Sequence, residues 1–386
     1  MNSFAEKQTN RRVVLTSTCG WSVYNYRLHV VKFLIAKNFE VHVIAGEDKF
    51  LNYLTDEGCI IHKIKINNRG LNILQDFKLF FNLLRLYRKI KPLLVFHYFV
   101  KPNIYGTFAA AVAKVTSVAV VAGLGYSFNK KNWLQFLVRL LYKLSLKNSY
   151  QVWFQNSEDA DLFLKYKMVA SRQLKIIPGD GIATTLISPI ENKMNVVRPF
   201  TFIMAVRLLK SKGIQYYAAA SKLLLEKGVE FDCQLIGKFE INHPDSISAE
   251  QLQEWQNNGL ISYHGFIEDV RSRLAKSDCL VLPTYYNEGT PRSIMEACCM
   301  ELPVITTDSK GCSNIVQDGY NGFLCKPKNA KDLAAKMEEM ILLQKNERIQ
   351  MGQNGRRKMI DEYDIEILFR VYQSVLDSII PSKQIA

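Results

Sequence analysis

Short runs of β-branched and aromatic residues alternate with helix-length stretches along most of this chain, and the alternation runs through two successive series. A strand–helix–strand beat needs crossover connections, and those build parallel sheets covered by helices: an α/β fold. In the first half, residues 12–17, 40–45, 93–97, 118–121, 151–155 and 174–177 read as strands, with a helix over 24–37. A second series follows Val196, with strands over 200–205, 230–236, 261–264, 279–283 and 303–306. A last helix is expected over 365–379. The turn-rich stretch near 180–198 joins the two series, giving expected domains 1–190 and 191–362 and a terminal segment 363–386. Two doubly wound domains are expected to face each other across a central cleft, where ligands bind at the carboxyl ends of parallel strands.

With 386 residues, 48% of them hydrophobic and 22% charged, the chain can bury a sizeable core and is neither disordered nor fibrous. No stretch approaches the ~20 uncharged apolar residues of a spanning helix, and no signal peptide is legible. Eight cysteines form no CxxC pair and have no histidine at metal-ligand spacing, so they read as reduced, buried thiols. The formal charge is +14, but it is unevenly spread: residues 1–190 hold 26 basic and 11 acidic side chains, and residues 191–386 hold 24 and 25. The first half is therefore expected to meet an anionic surface, and the second to do something else.

The chemistry concentrates in TYYNEGTPRSIMEA, residues 284–297, directly after an expected strand. A strand, a glycine-bearing turn and a helix place free backbone N–H groups and the positive helix end at the ligand edge of a parallel sheet, which suits a phosphate. Glu288 in the turn and Glu296 two turns up the helix can each accept hydrogen bonds from paired hydroxyls, a sugar at one end and a ribose at the other. The plain alternative is an ordinary acidic residue near a helix start and a solvated glutamate on its surface. Arg207 and Lys212 follow the first strand of the second series, where two cations can neutralise a diphosphate; solvated loop lysines and arginines are the competing reading.

These segments, extended through RSRLAKSDCLVLPTYYNEGTPRSIMEACCMELPVITTDSKGCSNIVQDGYNGFL, with RLLKSKG from Arg207 and HGF at 264–266, resemble the signature of the family 4 retaining glycosyltransferases of the GT-B fold. The resemblance implies two Rossmann-like domains and a final helix crossing back onto the first. It implies catalytic roles for Glu288, which contacts the donor sugar, and for Arg207 and Lys212, which hold the diphosphate. Glu296 would bind ribose, Gly289 and Thr290 would cradle phosphate through their backbone N–H groups, Gly265 and Phe266 would line the base pocket, and Gly237 would be a further donor-binding residue. Asn287 and Arg292, along with Tyr286, are candidates for contacts to sugar hydroxyls or an N-acetyl group. No side-chain nucleophile, metal or cofactor is expected, the nucleotide sugar being a co-substrate.

The first half carries WSVYNYR at 21–27, HYFVKPNIYG at 97–106 and GLGY at 123–126. There the chain resembles the subgroup that extends undecaprenyl-diphosphate-linked sugars, which includes bacillosaminyl-diphospho-undecaprenol N-acetylgalactosaminyltransferases and capsular and O-antigen enzymes. Residues 1–190 would then be the acceptor-binding, membrane-facing domain, with Gly20, Trp21, Tyr24, Arg27, His97, Lys101, Gly123 and Gly125 on the acceptor side. Only Gly20 remains of the family's Gly-Gly loop, and GlyLeuGly stands where a histidine is expected, so no protein base is assigned there. His97 reads equally well as a satisfied residue at a strand end.

QDFKLFFNLLRLYRKIK (75–91) and KKNWLQFLVRLLYKLSLK (130–147) mix aromatics, leucines and cations at helical spacing, as helices in a membrane interface do. The alternative is that the leucines face the core and the lysines solvate the outside. The expected function is transfer of a hexosyl or N-acetylhexosaminyl group from a UDP-sugar to a lipid-linked saccharide in surface-polysaccharide synthesis. Its place would be the cytoplasmic face of the plasma membrane, with other polysaccharide-assembly enzymes as candidate partners and no nucleic acid. An epimerase of the same fold and a non-catalytic assembly subunit remain open at this point.

Overall fold

The structure, a computed structural model, describes residues 11–67, 72–123, 133–189, 198–240, 243–286 and 288–380. Thirteen strands occur among them, all in two parallel sheets. The first sheet contains Arg12–Thr16 (β1), Glu40–Ala45 (β2), Ile60–Lys63 (β3), Leu94–Tyr98 (β4), Thr116–Val121 (β5), Gln151–Phe154 (β6) and Leu174–Ile176 (β7). The second contains Phe200–Ala205 (β8), Phe231–Ile236 (β9), Ser262–Tyr263 (β10), Cys279–Leu282 (β11), Val304–Thr307 (β12) and Gly322–Cys325 (β13). Their orders are β3-β2-β1-β4-β5-β6-β7 and β10-β9-β8-β11-β12-β13.

Both orders reverse direction once, between β1 and β4 in the first sheet and between β8 and β11 in the second. At such a switch point the two flanking connections run to opposite faces and leave a crevice at the carboxyl ends of the strands. Strands such as LVFHY and CLVL are buried along their whole length, as expected where helices cover both faces of a parallel sheet. The two strands missing from the sequence reading, β3 and β13, are edge strands of four residues. IIHK is half-exposed and carries two polar residues, and GFLC opens on a glycine, so neither shows a buried β-branched run.

The chain divides into two compact units: residues up to Asp180 together with those from Leu368 onward, and Gly181–Ile367. The divisions fall at 180 and 367, where the sequence reading put them after 190 and 362. Ile182 and Ile187 belong to the core of the second unit, and Ile182 pairs with Asp364 like two parallel strands. Entry and exit of the second unit are thereby tied together. The helix Ile365–Ile379 then places Leu368, Tyr372, Val375 and Leu376 in the core of the first unit. There Tyr372 is hydrogen-bonded to Tyr98 at 2.7 Å, and Phe369 stacks on Phe33 at 4.7 Å. Burying these four side chains, about 1.5–3 kcal/mol each, makes the terminal helix an integral layer of the first unit.

Candidate functional site

The crevice of the second unit is built by the chain leaving β8 and β11. After β8, a tight turn at Lys210–Lys212 ends on Gly213, whose φ is +87°. A Cβ there would lie 2.0 Å from the Pro283 carbonyl oxygen, so only glycine lets the two loops approach this closely. Tyr285 N donates to the Ser211 carbonyl at 2.9 Å, and Asp245 accepts from Ser211 N at 2.9 Å. The Lys212 ammonium is thereby aimed at Glu288: the two form an ion pair, with the lysine 13% and the glutamate 11% exposed. Lys212 Nζ also sits 5.4 Å from the centre of the Tyr286 ring. Each of these two largely buried groups has the other as its direct counter-charge. Arg207, by contrast, is half-exposed, with Glu240 3.9 Å away.

Beyond Glu288 the turn through Gly289 and Thr290 leads to Pro291 and the helix Arg292–Cys299. Its N-cap residue, Pro291, makes no side-chain cap hydrogen bond, and the first N–H groups of a helix are available as donors to an anion. The Thr290 hydroxyl is buried and has no partner among the described residues. Behind the turn lies Gly311, with φ +77°; a Cβ there would come within 2.2 Å of the Gly289 oxygen and 2.7 Å of the Glu288 oxygen. Glu296 meets Arg292 one turn below it, at 2.8 Å. The sequence reading gave Arg292 to the donor sugar, and the structure places it on the neighbouring carboxylate.

At the ends of β9 and β10, Gly237 N donates to the Gly265 oxygen at 2.9 Å, and Tyr263 Oη donates to the Gly237 oxygen at 2.8 Å. The Gly237 backbone runs so close to Val206 that a Cβ would fall 1.7 Å from its oxygen. Burial lowers the pKa of His264, with Arg273 acting in the same direction, and its Nε2 finds no partner among the described residues. Phe266 is 66% exposed. The expected donor-side residues therefore lie at the carboxyl edge of one sheet, apart from Asn287, which lies outside the described residues.

Sequence reasoning missed Thr284 and Gly311. Thr284, fully buried, donates toward Glu288 Oε1 at 3.0 Å and the Ser211 oxygen at 3.1 Å, and accepts from Tyr286 N at 3.2 Å. A hydroxyl residue two positions after a strand's buried end was the available signal.

Two acceptor-side expectations in the first unit are corrected. His97 is fully buried: Nε2 is hydrogen-bonded to Tyr87 Oη at 3.0 Å and Nδ1 to Thr107 Oγ1 at 3.2 Å. Burial pushes its pKa down to about 3, so it is a neutral core residue and no acceptor-side base. Arg27 is 2% exposed, bonded to Asp180 at 3.0 Å, with its guanidinium 4.1 Å from the centre of the Tyr98 ring. It fastens the end of the first unit. Lys101 is tied to the buried Asp76 at 2.7 Å. Gly20 and Trp21 start the helix Gly20–Ala36, where Asp48 accepts from Trp21 N at 2.8 Å and fills the space a Gly20 side chain would need. Tyr24 packs against Phe50 and Tyr53. Gly123 closes β5 with φ +79°, and Gly125 lies outside the described residues.

Comparison with known proteins decides what kind of site this is. Residues 188–358, which hold the whole second crevice, match the family model of glycosyl transferases group 1, and residues 12–156 match that of glycosyl transferase 4-like proteins. The chain is a glycosyltransferase with a 4-like domain followed by a group 1 domain. This glycosyltransferase is 28% identical, over 96% of its length and 99% of the relative's, to N,N'-diacetylbacillosaminyl-diphospho-undecaprenol α-1,3-N-acetylgalactosaminyltransferase of Campylobacter jejuni. It is 23% identical to the UDP-Gal:α-D-GlcNAc-diphosphoundecaprenol α-1,3-galactosyltransferase of Escherichia coli, covering 89% of this chain and 90% of that one. A glycosyltransferase from Rickettsia africae has the same fold, with a TM-score of 0.80 over 97% of this chain and 100% of that chain at 17% identity. The architecture is GT-B.

The first unit of the glycosyltransferase has a further surface. Helix Ile73–Ile90 turns Leu79, Leu83, Leu84, Tyr87 and Ile90 inward, yet exposes Ile73, Leu74, Phe77 and Phe81, the last two at 61% and 59%. Helix Trp133–Leu146 exposes Trp133 and Phe136, both at 71%. Exposed cations, Lys78, Arg85, Arg88, Lys89 and Lys143, accompany them. Leu79, Leu83 and Leu84 thus face the core, as the plain reading held for the leucines, while Leu74, Phe77, Phe81, Trp133 and Phe136 face outward. No helix among the described residues is long and apolar enough to cross a membrane.

Proposed function

We propose that this glycosyltransferase moves a hexosyl or N-acetylhexosaminyl group, with retention of configuration, from a UDP-sugar to a saccharide carried on undecaprenyl diphosphate at the cytoplasmic face of the membrane. The observation that carries the reading is the Lys212–Glu288 pair at the β8/β11 switch point, beside a helix start without a side-chain cap. The names of the Campylobacter and Escherichia relatives supply the lipid-linked acceptor, and the latter the UDP donor.

As the sugar–phosphate bond breaks, negative charge builds on the leaving diphosphate. Lys212, Arg207 and the N–H groups from Gly289 to the helix start are fixed donors aimed there, and preorganised donors stabilise such charge without reorganising. In this reading the cations carry the role that a divalent ion has elsewhere. Glu288 takes a hydroxyl of the sugar ring and Glu296 the ribose. The acceptor hydroxyl attacks from the face the diphosphate leaves, and its proton passes to the departing phosphate oxygen. The exposed aromatic and basic rows of the first unit hold the enzyme on an anionic leaflet, where each cation near the surface contributes about 1 kcal/mol.

Calorimetric titration with UDP and with GDP tests the donor half. UDP binding that weakens at least tenfold in Lys212→Ala, with GDP binding far more weakly, is the expected result. Equal binding of both nucleotides, unchanged in the variant, would remove the assignment.

A further inference from the structure

Glu288 can hold a sugar hydroxyl only if its carboxylate is kept in one place, and an ion pair to a long, flexible lysine does not by itself fix the oxygen it meets. Further support on that oxygen comes from one buried hydroxyl. Thr284 is the second residue after β11, following Pro283, and is fully buried. Its Oγ1 lies 3.0 Å from Glu288 Oε1, the oxygen that also meets Lys212, and 3.1 Å from the Ser211 carbonyl on the loop leaving β8. Its backbone oxygen accepts from Thr307 Oγ1, at the end of β12, at 2.5 Å. One residue therefore joins the exits of β8, β11 and β12, three adjacent strands, and touches the carboxylate in their midst. Gly311 holds the same turn from behind, through its close approach to the Glu288 and Gly289 carbonyls.

We propose that Thr284 is a positioning residue for transfer: its hydroxyl orients the Glu288 carboxylate and holds the Lys212 loop against it, without touching substrate. The inference rests on the proposed role of Glu288. A hydroxyl with three neighbours can donate only one proton, so binding of a sugar hydroxyl by Glu288 and release toward Ser211 are coupled through the same rotor. A valine keeps the shape of threonine and removes this bond, whereas serine keeps the bond and removes a methyl group.

The experiment compares Thr284→Val, Thr284→Ser and Glu288→Gln in the whole protein. The donor is whichever of UDP-GalNAc, UDP-GlcNAc, UDP-Gal and UDP-Glc the wild type turns over fastest with undecaprenyl-diphosphate-linked N-acetylglucosamine. The hydrogen bond to a charged group predicts kcat lower by about ten- to a hundredfold in Thr284→Val, with UDP affinity unchanged within about threefold, and recovery of most activity in Thr284→Ser. In the Glu288→Gln background the valine change should cost little more, because both act through one carboxylate. UDP affinity and the thermal midpoint of Thr284→Ser separate a positioning effect from loss of the fold. Wild-type kcat in Thr284→Val, or no recovery in Thr284→Ser, would overturn the proposal while Glu288→Gln remains impaired. Full turnover in Glu288→Gln would instead overturn the reading of the site and this inference with it.

Discussion

His97 gives the first unit a pH dependence whose sign and size follow from its burial. An imidazole in the unfolded chain titrates near 6.5, and burial pushes His97 to about 3 in the fold. Below pH 6.5 the unfolded chain binds a proton that the folded unit refuses, so protonation favours unfolding. The full stability of the neutral form is present above pH 6.5 and is lost as pH falls toward 3, at roughly 1.4 kcal/mol per pH unit. Between pH 7.5 and 5 the loss is about 2 kcal/mol. Trp153, buried beside Phe96 at 5.5 Å in the same sheet, reports unfolding of this unit by fluorescence in urea. His62, whose pKa is also lowered by burial, acts in the same direction, so the comparison is with His97→Gln rather than with pH 7.5 alone. The variant should be less stable than wild type at pH 7.5, and the gap should close by about 2 kcal/mol at pH 5. A gap that stays constant across this range would refute the reasoning.

Two further outcomes follow from packing and from surface composition. Gly213→Ala combines a left-handed φ with a Cβ 2.0 Å from the Pro283 oxygen, so it should destabilise the second unit by about 2 kcal/mol or more and impair UDP binding through the displaced Lys212; thermal unfolding and calorimetry read both. Replacing Phe77 and Phe81 together by serine should leave the thermal midpoint within about 2 °C, because both rings are solvent-exposed, yet shift the protein from the pellet to the supernatant when it is sedimented with vesicles containing phosphatidylglycerol.

Much of this was legible in sequence because the responsible forces are local. The strand runs of both sheets and the helix Ile365–Ile379 carry their burial pattern in their own residues, and strand–turn–helix at 279–299 announces an anion-binding edge. The edge strands β3 and β13 were not legible, because the first is half-exposed with two polar residues and the second is a buried four-residue run that opens on a glycine and has no β-branched residue. Nor was the inward orientation of His97 and Arg27. A histidine or arginine near the sheet edge suggests a ligand, and only the packed structure shows that Tyr87 and Thr107, or Asp180 and Tyr98, satisfy it first. Thr284 escaped notice for the complementary reason: its partners, Ser211 and Thr307, are 73 and 23 residues away in sequence.

The most direct measurement of the central claim is transfer itself. Purified protein is incubated with liposomes carrying undecaprenyl-diphosphate-linked saccharides and, in turn, UDP-GalNAc, UDP-GlcNAc, UDP-Gal, UDP-Glc and a GDP-sugar, and the lipid is analysed by mass spectrometry and the new linkage by NMR. The account predicts a mass increase of one hexose or N-acetylhexosamine from a UDP-sugar, joined in the α configuration of the donor and abolished in Glu288→Gln. No product from any donor, or a β-linked product, would contradict it.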